Sequence, residues 1–182
     1  MIDETRLPTK RRLIYSGKKI EVALDTLMLS DGSTAEREVV LHRGAAAMVP
    51  MVDGDHVCLV RNARYAVGET LWEVPAGTVD AGEHPDVTAA RELIEETGYR
   101  AGKITKLRQW FVSPGVMNEI MHLYLCEELT SVGSNLELDE NLEPVVVPWK
   151  DALEMVWDGR IQDAKTILAL TIVERHRRGS VD

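Results

Sequence analysis

Acidic residues are concentrated in the segment 77–99, which reads GTVDAGEHPDVTAARELIEETGY. Glu95 and Glu96 follow Glu92 by three and four positions, so a helix would bring the three carboxylates to one side. Like charges at this spacing repel each other by roughly 0.2–0.5 kcal/mol per pair. Three converging carboxylates would offer the oxygen ligands that Mg²⁺ or Mn²⁺ prefers. A solvated helix face is the alternative interpretation.

The helix that carries these acids has recognisable ends. Pro85 suits a first helical turn. Backbone N–H groups have no acceptor within the helix there, so the N–H that proline lacks is not needed. Gly98 suits a left-handed cap after the last turn. At about 100° per residue, the apolar side chains of Val87, Ala90 and Ile94 share one side, opposite the carboxylates. The pattern therefore predicts an amphipathic helix with an apolar face and a nearly all-carboxylate face.

The spacing of the acidic segment is specific. Gly77, Glu83 and the run RELIEETGY at 91–99 resemble the Nudix hydrolase box at every required position. The resemblance implies an α/β (α+β) Nudix fold, in which a mixed β-sheet is sandwiched between helices, with an N-terminal antiparallel β arm. It also implies a pyrophosphohydrolase, in which the acids hold metal ions and the metal ions hold a diphosphate.

The resemblance assigns roles to individual residues of the box and to one residue outside it. It implies two or three Mg²⁺ (or Mn²⁺) ions per site. The implied ligands are the backbone carbonyl of Ala76 and the carboxylates of Glu92, Glu95, Glu96 and Glu140. The implied structural residues of the motif are Gly77, Glu83, Arg91, which would orient Glu95, and Gly98.

Segments outside the box resemble the ADP-ribose pyrophosphatase branch, among them REVVLHRGAAAMVP, VRNARY, LWEVPAG, SPGVMNE and GRIQDAKTILAL. Pro114, fifteen residues after Tyr99, lies where that branch carries a proline. The branch implies that Arg64 binds the diphosphate, because a guanidinium donates two parallel hydrogen bonds, and that Glu119 binds ribose hydroxyls. The full set of implied substrate contacts is Arg37, Arg43, Arg64, Thr78, Ser113, Pro114, Gly115 and Glu119. Arg37 and Arg43 are equally well explained as solvated side chains.

A general base is also needed to accept a proton from the attacking water. The resemblance places it in the acidic, glycine-containing loop SVGSNLELDENLEP. Glu140 is the best match, with Glu137 and Glu143 as alternatives because loop length varies. Glu95 and Glu119 are further candidates if all three loop acids fail.

Composition limits the other classes of function. The chain has 182 residues and a formal net charge of −9, which disfavours binding to nucleic acid. No apolar run approaches the ~20 residues of a membrane helix, and the start of the chain lacks the pattern of a signal peptide. The two cysteines indicate reduced core residues of a cytoplasmic protein. The basic run at 175–178 is favoured as a helix end rather than a nucleic-acid patch.

Residues 12–42 are predicted to form strands, with hairpin turns at SDGS and later at VDGD. We divide the chain into an N-terminal β arm, 1–42, and a Nudix hydrolase domain, 43–182. The arm is expected to form a homodimer, because an isolated strand pair exposes its edges and one apolar face.

The expected reaction is ADP-ribose + H₂O to AMP + ribose 5-phosphate, with a small-molecule nucleotide sugar as the ligand. Hydrolysis of another nucleotide sugar, such as GDP-mannose or ADP-glucose, is the alternative within enzymes. A non-catalytic Nudix nucleotide-sensing module is the alternative outside them. The intact glutamates favour an enzyme.

Overall fold

The computed structural model describes residues 7–133 and 142–179. Seven strands precede the first helix, three strands follow it, and two helices come last. In chain order they are β1 (Lys10–Ser16), β2 (Ile20–Met28), β3 (Thr34–His42), β4 (Ala45–Pro50), β5 (His56–Arg64), β6 (Glu69–Glu73), β7 (Ala76–Thr78), α1 (Pro85–Thr97), β8 (Tyr99–Phe111), β9 (Ile120–Ser131), β10 (Leu142–Pro148), α2 (Trp149–Trp157) and α3 (Ala164–Arg177).

The chain forms two compact units. The arm unit comprises the segment that ends at Gly44 together with Phe111–Ile120, and the core unit comprises Ala45–Trp110 and the chain from Met121 onward. The segment Phe111–Ile120, which sequence reasoning assigned to the main domain, thus clusters with the arm. It is connected to β3 by a hydrogen bond from the Val40 N–H to the Val116 carbonyl.

The arm unit is built on a three-stranded antiparallel sheet in the order β1-β2-β3. The predicted SDGS turn joins β2 to β3. Gly32 has a φ of 83° there, and the Asp31 carboxylate accepts from the Ser33 N–H at 2.9 Å. Glycine tolerates a positive φ without steric cost, which explains the position of the turn.

The core unit contains a four-stranded sheet in the order β7-β4-β9-β8 and a three-stranded sheet in the order β10-β5-β6. The pairing of β4 with β9 is parallel, whereas β4 and β7 are antiparallel. Alternate residues of β4 enter two different apolar cores. Ala45 and Ala47 pack with residues of α2 and α3, whereas Ala46 and Met48 pack with residues of α1. The mixed sheet therefore lies between helices, which confirms the predicted fold class.

Helix α1 begins and ends where the sequence predicts. Gly98 has a φ of 72°, and the ring of His84, which was not predicted as the N-cap, accepts from the Asp86 N–H at 3.3 Å. The predicted apolar face was wrong. Val87 is 56% exposed. Ala89 and Leu93 supply the buried apolar contacts instead.

The predicted state of the cysteines is confirmed. Cys58 and Cys126 are free and buried. Burial disfavours the thiolate and raises the pKa of Cys58 to about 11 and that of Cys126 to about 12. Both thiols therefore remain protonated at neutral pH. Within the described ranges, no helix is long and apolar enough to cross a membrane.

The basic run at the end of α3 contributes to packing. The Arg177 guanidinium lies over the Trp149 ring, 4.9 Å from its centroid. Arg178 Nε donates to Glu174 Oε1 at 2.6 Å. The Trp149 Nε1–H also donates to Glu174, at 2.7 Å. These contacts support a helix end fixed to the body of the core unit.

Candidate functional site

Two acids of α1 meet the short strand β7. Glu96 Oε2 accepts from the Ala76 N–H at 3.0 Å. The Glu92 carboxyl lies against Gly77, where an added Cβ would come within 1.9 Å of Glu92 Cδ. Glu92 is 9% exposed and Glu96 is 4% exposed. Both carboxylates therefore turn inward onto the backbone of this turn, which is why the helix buries acids and leaves Val87 in solvent.

Arg91 connects the acids around the turn. Its Nη1 donates to Glu92 Oε1 and to Glu95 Oε2, both at 2.8 Å. Its Nη2 donates to Glu83 Oε2 at 3.1 Å, and Thr88 Oγ1 donates to the same oxygen at 2.6 Å. The hydrogen bonds of Arg91, and then of Thr88, lower the pKa of Glu83 to about 2. The hydrogen bond with Glu83 is in turn the largest cause of the raised pKa of Arg91.

The expected convergence of three carboxylates on one point is not found. Among residues 7–133 and 142–179, no three acidic, histidine or cysteine side chains are grouped so that they could hold a metal ion. Arg91 lies between Glu92 and Glu95, and the Ala76 N–H holds one oxygen of Glu96. The helix spacing alone predicted that the three carboxylates share one face. The Arg91 guanidinium instead lies between two of them, Glu92 and Glu95.

The donors at the turn nevertheless suit a hard divalent cation. Two buried carboxylates lie beside a backbone whose Ala76 carbonyl is a further oxygen donor, and Mg²⁺ and Mn²⁺ prefer oxygen. Gly77 provides the cradle, because any side chain there would fill the space of the Glu92 carboxyl. The remaining predicted ligand, Glu140, lies outside the described residues.

A second charged network lies in the core unit, and sequence reasoning found only one of its members. Arg64 Nε donates to Glu73 Oε1 at 2.8 Å, and its Nη2 donates to Oε2 at 2.6 Å. Lys165 Nζ also donates to Glu73 Oε2 and to Asp163 Oδ2, the latter at 3.0 Å. Glu73 is 1% exposed. The buried carboxylate thus accepts from two cationic side chains that lie far apart in the sequence.

The electrostatics of this network favour its ionised form. Burial opposes the ionisation of Glu73, but the hydrogen bonds and charges of Arg64 and Lys165 outweigh it, and the pKa of Glu73 is lowered. The hydrogen bond with Glu73 raises the pKa of Arg64, and the charges of Glu96 and Asp163 raise it further. One feature of the sequence could have revealed Glu73: it is a single acid inside the apolar run LWEVP. Burial of an unpaired carboxylate there would cost free energy, so a cationic partner was to be expected.

The predicted substrate residues divide between the two units. Arg64 and Thr78 belong to the core unit. Thr78 is half-buried in β7, paired with Ala45 of β4. The other members belong to the arm unit: Arg37, Arg43, Ser113, Pro114, Gly115 and Glu119.

The two arginines of the arm unit that were predicted to contact substrate donate to backbone oxygens. Arg37 Nη1 donates to the Glu36 carbonyl at 2.8 Å, and Arg43 Nη2 donates to the Lys18 carbonyl at 3.2 Å. Both contacts are exposed hydrogen bonds to backbone oxygens, and neither pairs the guanidinium with a carboxylate.

Glu119 lies near the end of β3. Its Oε1 is 3.7 Å from His42 Nδ1, which accepts from the Gly44 N–H at 3.0 Å. Pro114 and Gly115 are exposed in a turn that the Ser113 carbonyl closes by accepting from two backbone N–H groups.

The general-base candidates are described only in part. Glu143 is exposed on β10, where it is paired with Arg61 of β5. Glu137 and Glu140 lie outside the described residues.

Gly77→Ala tests the close approach of Glu92 to the turn. The new Cβ must displace the Glu92 carboxyl, so we expect a loss of stability of about 1–3 kcal/mol, as for other overpacking substitutions. The same displacement should lower kcat/KM at least about tenfold, since a shift of about 1 Å in a site can cost a hundredfold. Urea unfolding and steady-state kinetics measure the two effects. Gly54→Ala is the matched control, because a Cβ at Gly54 meets nothing within 4 Å. Wild-type values for both variants would contradict the described contact.

Comparison with known proteins places the chain in a family. The model of the NUDIX domain matches residues 41–170. The chain is 39% identical over 163 residues to the ADP-ribose pyrophosphatase of Bacillus subtilis (strain 168), covering 88% of each protein. It is 32% identical over 176 residues to the methanol dehydrogenase activator of Bacillus methanolicus, covering 96% of this chain and 94% of that protein.

A solved structure supports the fold. The crystal structure of an ADP compounds hydrolase superposes with a TM-score of 0.82 at 24% identity, covering 97% of each chain. At that level of identity the likeness concerns the fold alone. The family model covers most of the chain, and it includes the Ala76–Gly77 turn and the whole of α1. The chain therefore belongs to the NUDIX domain family.

Proposed function

We propose that this protein is a metal-dependent Nudix pyrophosphohydrolase that splits the diphosphate of a nucleoside diphosphate sugar, with ADP-ribose + H₂O giving AMP + ribose 5-phosphate as its main reaction. The observation that carries the proposal is the pair of buried carboxylates, Glu92 and Glu96, held against the Ala76–Gly77 turn. The name of the Bacillus subtilis relative, ADP-ribose pyrophosphatase, supports the substrate.

The proposed cofactor is Mg²⁺ or Mn²⁺, with two or three ions per site. The ligands would be the Ala76 carbonyl and the carboxylates of Glu92, Glu95, Glu96 and Glu140. Bound divalent ions supply charge neutralisation for the diphosphate and lower the pKa of a water molecule. The chain's own contribution is to fix the positions of three of these acids: Arg91 donates to Glu92 and Glu95, and the Ala76 N–H donates to Glu96.

The remaining assignments follow the same proposal. Arg64 would donate to the diphosphate. Glu140 would accept the proton of the attacking water, with Glu137 and Glu143 as its alternatives and Glu95 and Glu119 as further candidates. Thr78, Arg37, Arg43, Ser113, Pro114, Gly115 and Glu119 would complete the substrate contacts. Once the products of this protein have been determined, each role can be tested by a single substitution and a measurement of kcat and KM.

A substrate panel tests the proposed specificity. We expect the kcat/KM for ADP-ribose with Mg²⁺ to exceed those for GDP-mannose and ADP-glucose by at least about tenfold, which is about 1.4 kcal/mol of transition-state binding. Release of phosphate after phosphatase treatment provides the assay. A larger kcat/KM for either of the other sugars would transfer the proposal to that substrate, and no hydrolysis of any of them would refute it.

We also propose that residues 1–42 form an arm through which two copies of the chain assemble as a cytoplasmic homodimer. β1 is exposed along its whole length and occupies an edge of the arm sheet. Leu13, Ile14 and Tyr15 are each about half exposed on it. A long edge strand with apolar side chains is a ready template for pairing with another chain.

Deletion of residues 1–42 should give a monomeric or aggregating protein without activity, because the deletion removes both the pairing edge and Arg37. Sedimentation velocity of the full-length and shortened chains measures the oligomeric state, and the phosphate-release assay measures activity. A full-length chain that sediments as a monomer across the micromolar range would refute the dimer.

A further inference from the structure

We propose that Glu73 is a positioning residue for Arg64: by accepting both hydrogen bonds of the guanidinium, it holds Arg64 beside the Ala76–Gly77 turn, where the diphosphate of the substrate would bind. The inference rests on the proposed function, in which Arg64 contacts the diphosphate. Glu73 itself touches no substrate in this account and acts through Arg64.

The register of β5 and β6 shows that this contact is selective. Arg64 is paired directly with Glu69, an exposed acid at the start of β6. Glu73 is paired with Val60, four residues or about 13 Å further back along β5. Directly paired residues of an antiparallel sheet share a face, so both acids lie on the same face as Arg64. The guanidinium nevertheless makes its two short hydrogen bonds with the distant acid, Glu73.

The contact with Glu73 determines where the positive charge of Arg64 lies. A side chain that paired with Glu69 would stay at the end of β5, close to the exposed turn that follows. By extending along the sheet to Glu73, the guanidinium instead reaches the carboxyl end of β6, three residues before Ala76. Ala76 is the residue whose N–H holds Glu96. The effect of the Glu96 charge on the pKa of Arg64 is consistent with that placement.

Glu73 is itself held from the other side by the start of α3. Lys165 Nζ donates to Glu73 Oε2 and to Asp163. Thr166 Oγ1 accepts from the Val74 N–H at 2.8 Å and donates to Asp163 Oδ2 at 2.5 Å. The carboxylate and the backbone that follows it are therefore fixed together, which gives Arg64 a rigid partner rather than a mobile one.

The second cation and its own carboxylate complete the network. Arg64 Nη2 and Lys165 Nζ share one oxygen, Glu73 Oε2, and Lys165 also donates to Asp163. The two cations and the two carboxylates therefore balance each other in charge. Lys165 is 13% exposed at its side chain, whereas Arg64 is 42% exposed. Arg64 is therefore the more accessible of the two cations.

Glu73→Asp and Glu73→Gln test the inference in the full-length protein with Mg²⁺ and ADP-ribose. Asp keeps the buried charge but withdraws the carboxylate from Arg64, and Gln keeps the shape but removes the charge. An arginine that binds the diphosphate in both the ground state and the transition state affects KM more than kcat. We expect KM to rise about tenfold or more in both variants, with kcat within about threefold of wild type.

Three further measurements separate positioning from a general structural role. The inhibition constant of an ADP-ribose analogue with a methylene bridge in its diphosphate should rise by the same factor as KM. Mn²⁺ binding, followed by the electron paramagnetic resonance of the free ion, should change less than about twofold, since the acids of α1 are untouched. Glu69→Gln, which removes the acid directly paired with Arg64, should leave KM and kcat unchanged.

A double-mutant cycle decides whether Glu73 acts through Arg64. In an Arg64→Lys background, Glu73→Asp should raise KM less than about twofold further, because the guanidinium that Glu73 orients is already absent. Additive effects on KM, or a wild-type KM in a folded Glu73→Asp protein, would overturn the proposal. If Glu73→Gln fails to fold, Glu73→Asp decides alone. A wild-type protein that hydrolyses no nucleotide sugar would instead refute the proposed function, so the two failures are distinguishable.

Discussion

Glu96→Gln is expected to lower kcat on the order of a hundredfold or more, because loss of a metal ligand should cost at least as much as the 10- to 100-fold that loss of a ligand's supporting partner costs. Gln keeps the length of the side chain and a carbonyl oxygen that can still accept from the Ala76 N–H, so the turn should keep its backbone. The melting temperature without metal should therefore stay close to that of the wild type. The affinity for Mn²⁺ should fall together with kcat.

The control for Glu96→Gln is Glu154→Gln, which changes an exposed acid of α2 in the same way. It should have wild-type kcat, melting temperature and Mn²⁺ affinity. A Glu96→Gln enzyme with near wild-type turnover would refute the assignment of this residue to the metal site. Loss of turnover together with a large fall in melting temperature would indicate instead that the Ala76 contact is mainly structural.

Glu140→Gln is expected to lower kcat by roughly 10²–10⁴, the range usual for loss of proton transfer to a positioned base. Its signature should differ from that of Glu96→Gln. Glu96 is a buried ligand held at the Ala76–Gly77 turn, whereas Glu140 would be one of five ligands but the only acceptor of the proton, so its loss should impair proton transfer more than cofactor binding. KM and Mn²⁺ affinity should stay within a few fold of wild type. The defect should shrink at high pH, where hydroxide replaces the water that needs deprotonation. The pH profile of kcat for the variant and the wild type measures this recovery.

Glu137→Gln and Glu143→Gln are the matched controls, since they neutralise acids of the same segment. Both should reduce kcat less than Glu140→Gln does. A larger effect of Glu143→Gln would show that the register assigned to this loop is wrong by three residues. Wild-type behaviour of all three variants would move the base to Glu95 or Glu119.

Local signals in the sequence predicted the framework of the core unit well. Pro85 and Gly98 mark the ends of α1 because each has a conformational preference that acts within one or two residues. In the arm unit, the SDGS turn was found for the same reason. The second predicted hairpin, at VDGD, joins β4 and β5, which belong to different sheets and are bridged at Met51 and Val57. The helical spacing of apolar residues does not show which face of a helix is buried when the buried face also carries acids. Val87 was therefore assigned to the buried side, although it is exposed. The tertiary contact of Glu92 with Gly77 overrides the local pattern there.

The parts of the site that the sequence could not predict depend on contacts between distant residues. Glu73 and Lys165 are 92 positions apart, and no local spacing connects them. The resemblance implied that Arg91 orients Glu95, but it did not predict that the same nitrogen also donates to Glu92. The family resemblance named Arg64 but could not show that a buried acid holds it. That acid was visible only as one charge in an apolar run.

Product analysis tests the metal-dependent hydrolysis of the diphosphate most directly. The purified full-length chain should be incubated with ADP-ribose and Mg²⁺, and the products should be separated by ion-exchange chromatography. We expect equal amounts of AMP and ribose 5-phosphate, with no product when EDTA replaces Mg²⁺ and a strongly reduced yield for Glu96→Gln. Intact ADP-ribose with Mg²⁺ or Mn²⁺, or the same products in the presence of EDTA, would contradict it.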